Sequence, residues 1–491
     1  MRLIRYIPLL VVALLIGSCS GVKNLKKPEL NLPESFDGGS PLDSLTIADI
    51  SWWEFYGDEN LQKIIERTLE NNKKLLIAAA RIEEANYTYK VDKAKLLPEL
   101  SFRLPWNHET NDYYKELDLV DPEIGVKATI SWEVDLWGSL RWNKKKSLAQ
   151  YQATLEDERA MRMVLIAEVA SAYFKLVALD NELAIVKSTM ETREESVRLA
   201  KLRFEGGLTS GTVYQQAKVQ YATVAALIPQ LEYNIRVTEN TLRFLMGVYY
   251  NEPIVRSSAL KDNSLPERVP LGLPSELLER RPDIKSSELK LQAAVANAGY
   301  TYAKRFPSLN IELTGGLEDN DFKNLFRSPF SYVAENFVAP LIDFGKRKNA
   351  YKASIEAYEQ ARLSYENKVL EAFAEVDNAV TRYSTSRRAV VKEKELLEAA
   401  FKYQDLTWKQ YRGGTINYID VLDAQRRYFE AQIAHTNAIR DEHLALVQLY
   451  KTLGGGWQKN DSVKVAPATP VPASEPVSNA EPIPATTETK K

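Results

Sequence analysis

Tyr411–Gln425, YRGGTINYIDVLDAQ, joins two long apolar-periodic segments through a Gly-Gly turn and sets two carboxylates at the start of the second. Asp420 and Asp423 stand three apart, which on a helix leaves their side chains about 60° from one another on one face, projecting together from a turn tip. A second copy lies upstream in RFEGGLTSGTVYQQAKVQY, Arg203–Tyr221. There Phe204, Gly206, Gly207, Ser210, Ala217 and Tyr221 take the places of Tyr411, Gly413, Gly414, Asn417, Ala424 and Tyr428, while Val213 and Gln216 stand where the carboxylates do. AKLLPELSF from Ala94 is likewise echoed by AKRFPSLNI from Ala303, and DLWG from Asp135 by DFG from Asp343. The chain reads as two tandem copies of a unit of roughly 200 residues, too long for a solenoid period and suited to a pseudo-symmetric half.

Each unit carries the same succession of periods. A helix is expected from about Glu59 to Leu96, with Leu61, Ile64, Ile65 and Leu69 on one face, stopping before Pro98. The period then falls to two: Phe102, Leu104 and Trp106 alternate with Ser101, Arg103 and Pro105, and Val126, Ala128, Ile130, Trp132 and Val134 with Lys127, Thr129, Ser131 and Glu133. The twin hairpin runs over 307–341, although Tyr332 beside Val333 spoils the alternation of its returning strand. A small soluble sheet would show this pattern, and so would membrane β-barrel strands with one apolar face. Four strands cannot close a barrel, and an open edge in lipid strands backbone groups, so the membrane reading demands an oligomer.

Very long helices follow, about Ser139–Phe204 and Lys346–Tyr411, each spanning on the order of 100 Å. In the first, Leu165, Val169, Ala172, Leu176, Leu179, Leu183, Val186 and Met190 step by alternating fours and threes, a coiled-coil seam that needs a partner. The nearest partner is the returning helix of the same half, which Pro229 should kink. LPSELLERRPDI opens the second half, with Ser275 as the expected N-cap.

The chain has 491 residues, 45% apolar and 26% charged, and a net charge of −2, an ordinary folded composition that gives no reason to expect nucleic acid. Arg2 and Arg5 precede an apolar run from Ile7 to Ile16, too short to span a membrane and shaped as a secretion signal. It ends in IGSC, and Cys19 is the only cysteine, so no intrachain disulfide forms and a lipoprotein cleavage box is matched. Acyl chains on Cys19 would tie the mature N-terminus to a membrane. The expected organisation is a signal (1–18), an extended lipid-anchored arm (19–50), a first repeat (51–250), a linker (251–274), a second repeat (275–457) and a Pro/Ala/Thr-rich tail (458–491) without fixed structure. Enzyme motifs are absent: His108, His435 and His443 have no metal-ligand spacing, and Gly454–Gly456 lacks the Lys and Ser/Thr of a phosphate loop. No cofactor is expected beyond the lipid on Cys19.

WWEFYGDENL, ARIEEA, WEVDLWG, LPSELLERRPDI, FPSLNI, YRGGTINYIDVLDAQR and LYKTLGGGW, in that order from Trp52 to Trp457, resemble the TolC-like outer-membrane factor family, in its lipoprotein branch of RND-type efflux exit ducts. The resemblance implies an α+β membrane protein: a homotrimer whose three sets of four strands make one outer-membrane β-barrel, continued by an antiparallel helical coiled-coil tunnel into the periplasm. It also implies a periplasmic adaptor meeting the tips and an inner-membrane pump of RND type. Asp420 and Asp423, flanked by Ile419 and Arg426, match the family's periplasmic gate, and Gly206, Gly207, Gly413 and Gly414 the adaptor-contact tips. The acid common in the family's first tip is Val213 here. Each residue also has a plainer role: Asp420 a capping acid after Asn417, Asp423 a surface partner of Arg426 or Arg427, the glycines helix stops. An exit duct of a tripartite efflux system is the expected function. The same architecture would serve type I protein secretion, and a lipid-anchored scaffold without a pore is the reading from another class.

Overall fold

The computed structural model describes residues 25, 27–33, 36, 46–111, 119–260, 269–340 and 342–457. The signal, Cys19, much of the arm and the tail 458–491 lie outside the described residues. The first half runs α1 (Trp52–Tyr56), α2 (Glu59–Asn71), α3 (Lys73–Ala94), β1 (Glu99–Arg103), β2 (Trp106–Asn111), β3 (Leu119–Val134), α4 (Ser139–Glu205), α5 (Gly211–Ala225) and α6 (Leu227–Met246). The second runs α7 (Pro274–Arg280), α8 (Pro282–Ala303), β4 (Ser308–Asp319), β5 (Pro329–Val338), α9 (Lys346–Arg412) and α10 (Tyr418–Thr452).

All strands join one antiparallel sheet. β1 and β2 lie end to end along β3, interrupted at Leu104 and Pro105, so that four staves stand in the order β1/β2, β3, β4, β5. β3 and β4 pair over eleven positions although α4 to α8 intervene in the chain. The pleat sorts the residues as the period of two requires. Leu100, Ile130, Leu313 and Val333 are successive partners on one face, and all are exposed, Leu100 at 72% and Val333 at 62%. Ser101, Thr129, Thr314 and Tyr332 are successive partners on the other, where the Thr129 and Thr314 hydroxyls lie 3.0 Å apart and Lys127 Nζ lies 3.1 Å from Glu318. The Tyr332–Val333 irregularity is thus one residue on each face. β3 and β4 approach so closely that a Cβ on Gly316 would stand 2.1 Å from the Val126 carbonyl oxygen. Among the described residues nothing pairs with the outer edge of β1/β2 or of β5.

Two aspartates turn the sheet into the long helices. Asp135 accepts the Leu140 and Arg141 backbone N–H groups at 3.0 and 2.9 Å, and Asp343 those of Gly345 and Arg347 at 3.0 and 3.2 Å. Gly138 and Gly345, at φ 77° and 82°, complete both turns in the left-handed region that favours glycine. The helices that follow are each 67 residues long.

Four expectations need correction. The helix from Glu59 breaks at Asn72, whose Oδ1 accepts the Lys74 and Leu75 N–H groups while Nδ2 donates to the Leu245 carbonyl at 2.8 Å; the apolar period continues through a cap that starts a new helix. Ser275 is inside α7, whose N-cap is Leu273 because Pro274 occupies the first helical position, where no N–H is needed. The α4 seam is shared between partners. Its tip-ward part, Leu179 to Met190, packs on Val224, Ile228 and Leu231 of the same half but also on Phe429 and Ile433 of α10. Farther from the tip, Leu165, Val169 and Leu176 enter a core with Ile284, Tyr365, Val369 and Leu449, where the halves meet. The kink expected near Pro229 lies at Ala226, between α5 and α6, beside the Ala225 carbonyl, to which Pro229, having no N–H, cannot donate. Of the arm, Phe36 is buried against the Phe373 ring and Lys27 pairs with Glu288 at 2.8 Å, holding this segment on α8 and α9.

Candidate gate at the helix tips

Both tips end in the same backbone motif. Leu208 donates to the Arg203 carbonyl and Gly207 to that of Phe204; in the second tip Thr415 donates to Gln410 and Gly414 to Tyr411. These are the paired bonds of a helix stop in which the second glycine takes a positive φ, 68° at Gly207 and 75° at Gly414. Gly206 and Gly413 keep negative φ and act as C-caps. A Cβ on Gly207 or Gly414 would meet nothing within 4 Å. Backbone conformation, not crowding within the chain, therefore calls for glycine there.

The four helix ends at the tips share an apolar plug. Ala200, Ala217, Tyr418, Val421 and Leu422 are buried together, with Val213, Trp408 and Tyr411 packed against them. Arg203 ties the tips laterally, its guanidinium 5.2 Å from the Tyr411 ring centre and bonded to the Tyr411 hydroxyl. With Val421 and Leu422 inward, α10 presents Ile419, exposed at 47%, and its carboxylates outward.

Asp420 closes a capping box, its Oδ2 accepting the Asn417 backbone N–H at 3.1 Å. Asp423 receives Arg427 at 2.8 Å and Arg426 at 2.7 Å, and Arg426 also reaches Glu430 at 2.9 Å. Bonds from Arg427 first, then Arg426, hold the Asp423 carboxyl below its ordinary range. The plainer roles weighed for both aspartates are thus present within one chain, and neither prevents the same carboxylates from facing copies of themselves around an axis. Among the described residues no group of His, Cys, Asp and Glu is arranged to hold a metal ion, and no helix is long and apolar enough to cross a membrane. Sequence reading missed Arg203 with Tyr411, because a contact between tips of different halves has no local spacing. It also missed the α9 seam, Tyr365, Val369, Ala372, Val376, Ala379 and Tyr383, whose alternating steps of four and three were there to be read.

A sheet with an apolar and a polar face, continued by hairpins that run on the order of 100 Å to a charged tip, belongs to the class of membrane duct proteins. The chain belongs to the outer membrane efflux protein family, whose model matches residues 64–248 and 273–455. It is 28% identical to the pyoverdine export outer membrane protein OpmQ of Pseudomonas putida, over 94% of this chain and all of that one. It is 29% identical to the toluene efflux pump outer membrane protein TtgC of Pseudomonas putida, over 91% of this chain and 95% of the relative. A crystal structure of a membrane protein from Pseudomonas aeruginosa superposes with a TM-score of 0.82 at 27% identity, covering 89% of this chain and all of that one. The protein is an outer-membrane efflux channel component.

Proposed function

We propose that the chain is the passive exit duct of a tripartite efflux system, assembled as a homotrimer of two tandem structural repeats per protomer. The observation that carries this reading is the four-stave sheet with an apolar face and two edges unpaired among the described residues. Lipid leaves no water to satisfy those edges, so β1/β2 of one copy must pair with β5 of the next. Three copies close a barrel with the polar face inward, and the helical hairpins continue it into the periplasm. The exposed tips, with open space beside Gly207 and Gly414, suit docking of a periplasmic adaptor that links the duct to an inner-membrane pump, in keeping with relatives named for efflux pumps. Acylation of Cys19 would anchor the N-terminus in the outer membrane.

Around the trimer axis, Asp420 and Asp423 form two rings of three carboxylates, the gate. Like charges about 6 Å apart at an effective dielectric near 20 repel by roughly 3 kcal/mol, so such rings favour cations or basic partners. Within each chain Arg426 and Arg427 supply that partner from the same helix, so the ring is neutralised while Asp423 is charged and leaves unpaired arginines facing one another when it is not. Planar-bilayer recording is the test. Purified protein should give channel steps, and Asp420→Ala with Asp423→Ala should raise resting conductance several-fold and weaken block by multivalent cations added on the periplasmic side. Absence of channel steps under all conditions would leave a poreless scaffold; equal block of both proteins would place the selective carboxylates elsewhere.

A further inference from the structure

Above the tips, α4, α9 and α10 enclose a cleft of about 400 Å³ that the gate does not use, lined by Thr189, Arg193, Gln404, Gln425, Tyr428 and Phe429 among others. Arg193 is 2% exposed, yet among the described residues no carboxylate pairs with it, and its hydrogen bond goes from Nη1 to the neutral Gln425 Oε1 at 2.7 Å. The other buried arginines among the described residues are matched: Arg281 holds Asp283 and Glu375, each at 2.7 Å, and Arg243 holds Glu239 at 3.1 Å. A buried guanidinium without an acid is costly, and its fork of donors fits a carboxylate. On the α9 side of the same cleft, Gln404 Oε1 is buried without any hydrogen-bond partner. One wall therefore offers an unneutralised cation, the other an unused acceptor, and the Tyr428 and Phe429 rings supply apolar surface between them.

We propose that this cleft binds a small organic anion: a carboxylate taken by Arg193, a flat apolar body against Tyr428 and Phe429, and a hydroxyl or N–H donated to Gln404. The volume is in the range of small-molecule sites. Arg193 belongs to α4 and Gln425 to α10, two residues beyond Asp423, so an occupant joins the two halves of the protomer just above the carboxylates of the tip. Neither the composition of the tip nor the duct reading requires such a site.

Isothermal titration of the purified full chain in detergent with 3-hydroxybenzoate tests this, with the uncharged 3-hydroxybenzyl alcohol as control. Saturable binding at one per protomer is expected for the acid and not for the alcohol. Arg193→Gln should weaken it at least tenfold, and Arg193→Lys less, since the charge remains without the fork. Gln404→Leu, which leaves the buried arginine in place, should weaken 3-hydroxybenzoate several-fold while sparing benzoate, which has no donor. Equal affinity for acid and alcohol, or undiminished binding to Arg193→Gln, would overturn the proposal. So would absence of saturable 3-hydroxybenzoate binding to the native protein; loss of oligomer in Arg193→Gln would then show that an acidic side chain of a second copy fills the cleft. The readout is binding, so it stands or falls separately from conduction.

Discussion

Asp423 is the residue whose ionisation the gate reading depends on most. Its carboxyl is depressed by Arg427 and Arg426, so its contribution to closure is present above the ordinary aspartate value of about 3.9 and is lost as pH falls through the lower value it has when paired. Resting conductance should therefore be flat from about pH 8 to about pH 5 and rise below about pH 4, a rise absent in Asp423→Ala. Bilayer recordings across that range check it, and a rise already complete near neutrality would point to another group. At Cys19, intact-mass measurement of protein taken from membranes should show cleavage before the cysteine and added acyl mass. An unmodified cysteine would remove the anchor from the account.

At the scale of elements, two glycines separate conformation from crowding. Gly414→Ala puts a Cβ into open space at positive φ, a strain of about 1 kcal/mol, and should lower thermal stability only slightly. Gly316→Ala drives a Cβ into the Val126 carbonyl and should disrupt β3–β4 pairing, seen as loss of assembled, heat-modifiable protein in gels. Equal effects of the two would mean that the β3–β4 approach is not rigid. The long helices were legible in the sequence to within about two residues, because their ends carry Gly-Gly stops, and the strands because only one face is apolar. The break at Asn72 was not, since an asparagine inside an apolar period reads as a surface position until its cap and the Leu245 carbonyl are seen. Nor was the partner of the α4 seam, because a heptad specifies that something packs there and not which helix. The gate carboxylates were singled out from their spacing and a family likeness; their capping and arginine contacts became concrete only in the fold, and the Arg193 cleft is formed by three helices with no shared motif.

For the whole molecule, the decisive feature is that one chain is an unfinished object. Its sheet has one lipid-compatible face, one polar face and two edges with nothing to pair with among the described residues. Length supplies the rest: hairpins on the order of 100 Å carry the tips far from the sheet, so that a pore through the barrel would reach across the periplasm. Closure between copies is thus the central claim, and it is measured most directly by disulfide trapping between edges, with one cysteine scanned along Glu99–Arg103 and the other along Pro329–Val338 in a chain whose only native cysteine is Cys19. Oxidation of the protein in its native membrane should trap dimers and then trimers, with nothing larger, at pairs that follow the two-residue alternation of the strands. If no pair cross-links between chains, or if the ladder ends at dimers or runs on past trimers, the closed three-copy barrel is wrong.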